Sequence, residues 1–117
     1  MKLFELLQWQ HQGYPRYHGN RSNLLLHIVV VPVFWVGNIG LAVGLVQGRL
    51  WLGLAGIAAM ALSLGLQGHG HRLELLPAEP FASPGQAVAR LLFEQWITFP
   101  RFVISGGWWR ALRQART

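Results

Sequence analysis

LLLHIVVVPVFWVGNIGLAVGLV, residues 24–46, decides the fold. Only His27, Asn38 and glycine or proline positions interrupt its apolar run. A helix needs about 20 such residues to cross a bilayer, so this stretch is expected to be the first transmembrane span. Pro32 removes one backbone hydrogen bond and should kink it. Asn38 should bond a neighbouring helix.

Working outward, Gln47–Leu50 is the expected turn, with Gly48 at its centre. Residues 51–66 form a second span, and Gly53, Gly56, Ala59 and Ser63 make a small-residue strip that permits close packing. Before the hairpin, residues 2–12 place Leu3, Leu6, Leu7 and Gln10 on one face of a short interfacial helix. Gly13 and Pro15 are expected to end that helix, and His11 to lie on its solvated side. Asn20 or Ser22 can cap the first span. After the hairpin, Pro77, Pro80 and Pro84 make a loop, and Ser83 with Pro84 starts another helix. Residues 91–109 contain Glu94, Pro100 and Arg101, so a broken or interfacial segment packed on the hairpin is expected. The fold class is thus all-α: a single membrane-embedded domain, 1–117.

Composition agrees. The chain is 52% hydrophobic and 12% charged, against about 25% charged in soluble domains. Without cysteine, thiolate chemistry and disulfides are excluded. The net charge of +6 comes from scattered basic residues, with no Lys or Arg run, which argues for membrane flanks and against nucleic acid. Residues 1–20 lack a signal peptide's order of charge, apolar run and cleavage site. Of the Lys and Arg, only Arg49 lies in the turn; the rest precede Leu24 or follow Leu66. The positive-inside rule then puts both ends in the cytoplasm. A small hairpin with glycine and alanine strips also invites a homodimer.

Two polar motifs stand at the cytoplasmic end of the hairpin. YHGNRSNLLLH, residues 17–27, carries His18 and His27; QGHGHRLE, residues 67–74, carries His69, His71 and Glu74. Folded about Gly48, His27 and His69 are equally far from the turn and should meet at one depth. His71 and Glu74 lie slightly nearer the cytoplasm, and His18 can fold back from the cap. On a regular helix His69 and His71 point to opposite sides, so both reach one centre only if the helix stops near Gly68–Gly70. Intramembrane ionisable groups are costly. Taken singly, His27 reads as a hydrogen-bonded core residue, and His71 with Glu74 as a surface pair. Glu74 can also pair with Arg72 or Arg90, and Glu94 with Arg90. Taken together, on one side of the membrane, the histidines and Glu74 match nitrogen and oxygen ligation of iron, zinc or manganese. Asn20, Asn23 and His27 share a helical face, so the asparagines can orient an imidazole from behind. Glu94, in apolar surroundings, is a further ligand, a partner of a ligand, or a proton acceptor. Arg16, Arg21 and Arg72 can attract an anionic head group at the rim. The competing readings are a histidine cluster that only holds helices together or binds lipid or a partner, and a hydrolytic zinc site.

YHGNRSNLLLH, QGHGHRLE with a proline soon after, and LLFEQWITFPRF (residues 91–102) together resemble the iron-dependent 2-hydroxy fatty acid dioxygenases. These are small membrane proteins named for turning phytosphingosine into odd-numbered fatty acids in fungi, with many bacterial relatives. The resemblance runs from about Tyr14 to Trp109. In the fungal pattern the glutamate follows its histidine by four; here it follows His71 by three and His69 by five, and the Gly-His step favours His71. The resemblance implies a bacterial cytoplasmic-membrane enzyme that uses Fe(II) and O2 to shorten a 2-hydroxy fatty acid by its carboxyl carbon (α-oxidation). It implies metal ligands among His18, His27, His69, His71 and Glu74, catalytic roles for Glu74 and Glu94, and Arg72 or Arg21 at the substrate carboxylate.

Overall fold

The computed structural model describes residues 2–116 and is all-α. α1 is Leu3–Tyr17, α2 Arg21–Gln47, α3 Leu50–His71 and α4 Pro84–Phe93. A π-helical turn, Glu94–Thr98, leads into α5, Phe99–Ile104, and α6 is Gly107–Gln114.

α2 and α3 form the antiparallel hairpin. Asn20 caps α2 by accepting from Asn23 N at 3.1 Å. Gly48 ends it with φ +66°, a left-handed conformation that glycine adopts without a Cβ clash. At about 1.5 Å per residue, both helices are long enough and apolar enough to cross a membrane. They touch through glycine: a Cβ on Gly37 would come within 2.7 Å of Gly56 O. The surface is inverted relative to a soluble protein. Val29, Val36, Ile39, Leu45, Leu54, Ile57 and Leu62 are exposed, while Asn23, His27, Ser63 and Gln67 are buried. Apolar side chains outside and polar ones inside suit a lipid surround.

α1 and the segment from α4 to α6 pack around one end of the hairpin. Tyr14, Leu24, Val31, Phe99, Phe102 and Trp108 make the core there. Trp108 Nε1 fixes it by donating to Leu24 O at 3.1 Å; outside this core, Trp96 Nε1 donates to Asn38 Oδ1 at 2.7 Å, so Asn38 bonds a neighbouring segment as its position suggests. In the π-turn, Phe99 N–H reaches back five residues to Glu94 O. Pro100 has no N–H for the next carbonyl, and Gln95 O instead accepts from Trp35 Nε1 at 2.6 Å.

Two boundaries differ from the sequence reading. α1 does not end at Gly13 or Pro15 but runs to Tyr17. Tyr14 is buried against Phe99 and Phe102, and that packing outweighs the local breakers. Nor does the second span stop near Gly68–Gly70; α3 stays helical to His71. Gly70 is buried against α2, where a Cβ would collide with Asn23 Oδ1, so this glycine serves close approach and not a break. Residues 91–109 are broken, as expected, and Ser83 caps α4 by accepting from Gln86 N at 3.1 Å. The left-handed Gly106, φ +84°, redirects the chain into α6.

Candidate metal centre

His18, His27, His71 and Glu94 converge at the covered end of the hairpin, and one ligand atom from each lies within 4.8 Å of the others. The three imidazole rings stand edge to face, with centroids 4.8–5.0 Å apart. Each ligand comes from a different element: the end of α1, the second turn of α2, the last turn of α3 and the π-turn.

Helical geometry sets the tautomers. His18 Nδ1 lies 2.8 Å from Tyr14 O, and His27 Nδ1 3.0 Å from Asn23 O, each four residues earlier. A carbonyl only accepts, so each Nδ1 carries the proton and each Nε2 is left with a lone pair. Both Nε2 atoms are buried without a partner, and so is His71 Nδ1. Buried polar atoms are nearly always satisfied; here three imidazole nitrogens beside a carboxylate are left without partners among the described residues. With three nitrogens and one oxygen, the cluster could hold a metal ion of the iron, zinc or manganese type.

Electrostatics favour a neutral His18. Burial, then the His27 and His71 rings, hold it well below the ordinary imidazole range, against the Tyr14 carbonyl. Tyr14 also stacks on His18, with ring centroids 3.7 Å apart. Glu94 Oε1 lies 4.0 Å from His18 Nε2. Burial pushes the Glu94 carboxyl up to about 7, and Arg90, one turn earlier, opposes that.

His69 and Glu74 are absent from the cluster. On the unbroken α3, His69 points away and is exposed. Glu74 follows the helix end and turns toward α2, where its carboxylate accepts from Gly19 N at 2.8 Å, Asn20 N at 3.1 Å and Asn23 Nδ2 at 2.6 Å. Arg116 adds a 3.1 Å ion pair, and the Glu74 side chain is only 1% exposed. Burial opposes this charge, but the Asn23, Gly19, Asn20 and Arg116 hydrogen bonds outweigh it and leave the pKa lowered. Glu74 is therefore a brace: it ties the end of α3 to the His18–Asn20 corner. Asn23 orients His27 through its main chain while its side chain serves Glu74, and Asn20 is the cap. Arg21 and Arg72 are exposed, and neither lines the cavity beside the cluster.

No family model, curated protein or solved structure matches the chain.

A cavity of about 510 Å³ opens beside the cluster and is lined by His18, His71 and Glu94. Trp9, Leu64, Phe81 and Leu91 supply apolar walls. Arg90 also lines it, although its spacing from Glu94 marks it only as an ion-pair partner. At its edge Gln67 and Gln95 form a reciprocal pair, at 2.8 and 2.7 Å. Neither Gln67 nor Gln95 stands out in the motifs. Their signal is that each is a polar residue in a largely apolar stretch.

Proposed function

We infer that the chain is an Fe(II)-dependent dioxygenase of the cytoplasmic membrane, with both ends on the cytoplasmic side, that shortens 2-hydroxy fatty acids by one carbon. The observation that carries this is the set of three orphaned imidazole nitrogens and one carboxylate opening onto an apolar cavity. The motif resemblance supplies the reaction class. His18, His27, His71 and Glu94 would hold the iron, which when bound supplies O2 chemistry and Lewis acidity.

The chain's own residues do the rest. The Tyr14 and Asn23 carbonyls fix two ring orientations. The apolar walls take the acyl chain and keep water from the head group. With O2 as oxidant, a 2-hydroxy acid balances to the shortened acid, carbon dioxide and water, a four-electron oxidation that needs no further reductant. A cluster that served only helix packing would satisfy its own nitrogens, whereas these three lack partners.

The test is anaerobic loading with Fe(II), then addition of 2-hydroxyhexadecanoate and air, with mass spectrometry of the acids. The pentadecanoic acid is expected, and its loss in the His71→Ala variant. Absence of any shortened acid over a range of chain lengths would replace the enzyme with the helix-packing or lipid-binding reading.

A further inference from the structure

We propose that Arg90 is the anion anchor of the cavity, the residue that makes it take an amphiphile with a carboxylate head in preference to a neutral one. This deepens the function proposed above and rests on it for the choice of ligand.

Arg90 is buried, 9% exposed, and lines the cavity from α4. Its guanidinium lies 5.0 Å from the Trp9 ring centroid and 4.5 Å from that of Phe81, a cation held between two aromatic faces. One terminal nitrogen donates to Pro80 O at 2.9 Å and the other to Glu79 O at 3.0 Å. Both acceptors are neutral. Nε is buried with no partner. Guanidinium has five N–H donors, so most of its capacity is unused.

Among the described residues, no carboxylate forms an ion pair with Arg90. The one arginine–carboxylate ion pair among the described residues is Arg116 with Glu74, while Glu94 Oε1 lies 4.0 Å from the Nε2 of a neutral His18. The Glu79 carboxylate accepts from Tyr17 at 3.1 Å, and only its main chain meets Arg90. A buried cation without a directly paired counter-ion is unfavourable, and a ligand carboxylate is the planar partner that suits it. Arg90 and Glu94 are four residues apart, and both line the cavity. On a helix that separation is about 5–6 Å, so a head group can meet Arg90 while its neighbouring carbons reach the histidine cluster. The apolar walls then receive the tail.

A residue that only staples the loop at Glu79 and Pro80 would not sense ligand charge, and this separates the two roles. The intact chain in non-ionic detergent, chelator-treated, is titrated with 2-hydroxyhexadecanoate and with its methyl ester, reading tryptophan fluorescence. The wild type is expected to bind the acid about tenfold more tightly than the ester. Arg90→Gln is expected to lose that preference while keeping ester affinity and iron uptake, and Arg90→Lys to recover part of it. Equal binding of acid and ester by the wild type overturns the proposal, even if Arg90→Gln fails to fold. So does an Arg90→Gln variant that keeps the preference. Loss of iron uptake from the wild type, with the acid preference intact, would sink the metal reading and leave the anchor standing.

Discussion

His18 and His27 stand with ring centroids 4.9 Å apart and planes at 87°, each pinned through Nδ1 to the carbonyl four residues before it. Two Nε2 lone pairs thereby face one point, with no hydrogen-bond partner for them among the described residues. Metal-free protein carries these atoms as buried, unsatisfied acceptors, each costing about 1–3 kcal/mol. Adding Fe(II) or Zn(II) is expected to raise the melting temperature in detergent, because the ion binds the folded chain. His27→Leu is expected to melt no lower than the metal-free wild type and to lose the response to metal. A His27→Leu variant that metal still stabilises would argue against His27 as a ligand.

Glu74 braces the corner and is not a ligand, so its loss should show first in stability. Glu74→Gln is expected to cost about 1.5–3 kcal/mol, the range for a hydrogen bond to a charged group. The sign of the pH dependence follows from its lowered pKa. The Glu74 contribution is present above the ordinary carboxylate value of 4.5, and is lost as pH falls through the lower folded value. Thermal melts from pH 7 downward should show the wild type destabilised by acid and Glu74→Gln less so. Parallel acid profiles for the two would remove the brace.

Much of this architecture is legible in the sequence. Hydropathy gives the two long apolar helices and their turn, and counting from Gly48 gives the end at which the histidines gather. Depth counting from Gly48 selects His69 as the partner of His27, but His69 and His71 differ by only about 3 Å in rise and lie on opposite sides of the helix. Azimuth decides, and the strip that includes Ser63 continues in steps of four through Gln67 to His71, the buried side of α3. Glu74 misleads because the equal-face rule for residues three apart fails once the chain leaves the helix after His71. Glu94 is recognisable as a carboxylate in apolar surroundings. Its arrival at the cluster depends on the path of residues 75–83 and on a π-turn, which no local periodicity encodes. Arg90 reads as Glu94's partner by spacing, yet its guanidinium is drawn to the loop carbonyls and the Trp9 and Phe81 faces.

The Gln67–Gln95 pair joins α3 to the π-turn that carries Glu94. Gln95→Leu is expected to destabilise by about 1–3 kcal/mol, since it strands the Gln67 amide in a buried site. The Gln67→Leu, Gln95→Leu double variant should recover part of that loss, because both partners are then apolar. Additive effects in this double-mutant cycle would mean that the two amides do not interact.

The hairpin depends on backbone approach at Gly37 and Gly56. Gly56→Leu is expected to separate α2 from α3 and, with them, His27 from His71. Metal binding should fall together with protease resistance in detergent. Full metal binding by a folded Gly56→Leu variant would contradict this packing.

The contrast between two histidines two residues apart tests the centre most directly. Iron content per chain is measured after Fe(II) loading and desalting, for the wild type and for His69→Ala and His71→Ala variants that remain folded. The expected result is about one ion per chain in the wild type and in His69→Ala, and none in His71→Ala. Retention by His71→Ala, or loss by His69→Ala, would contradict a centre built from His18, His27, His71 and Glu94.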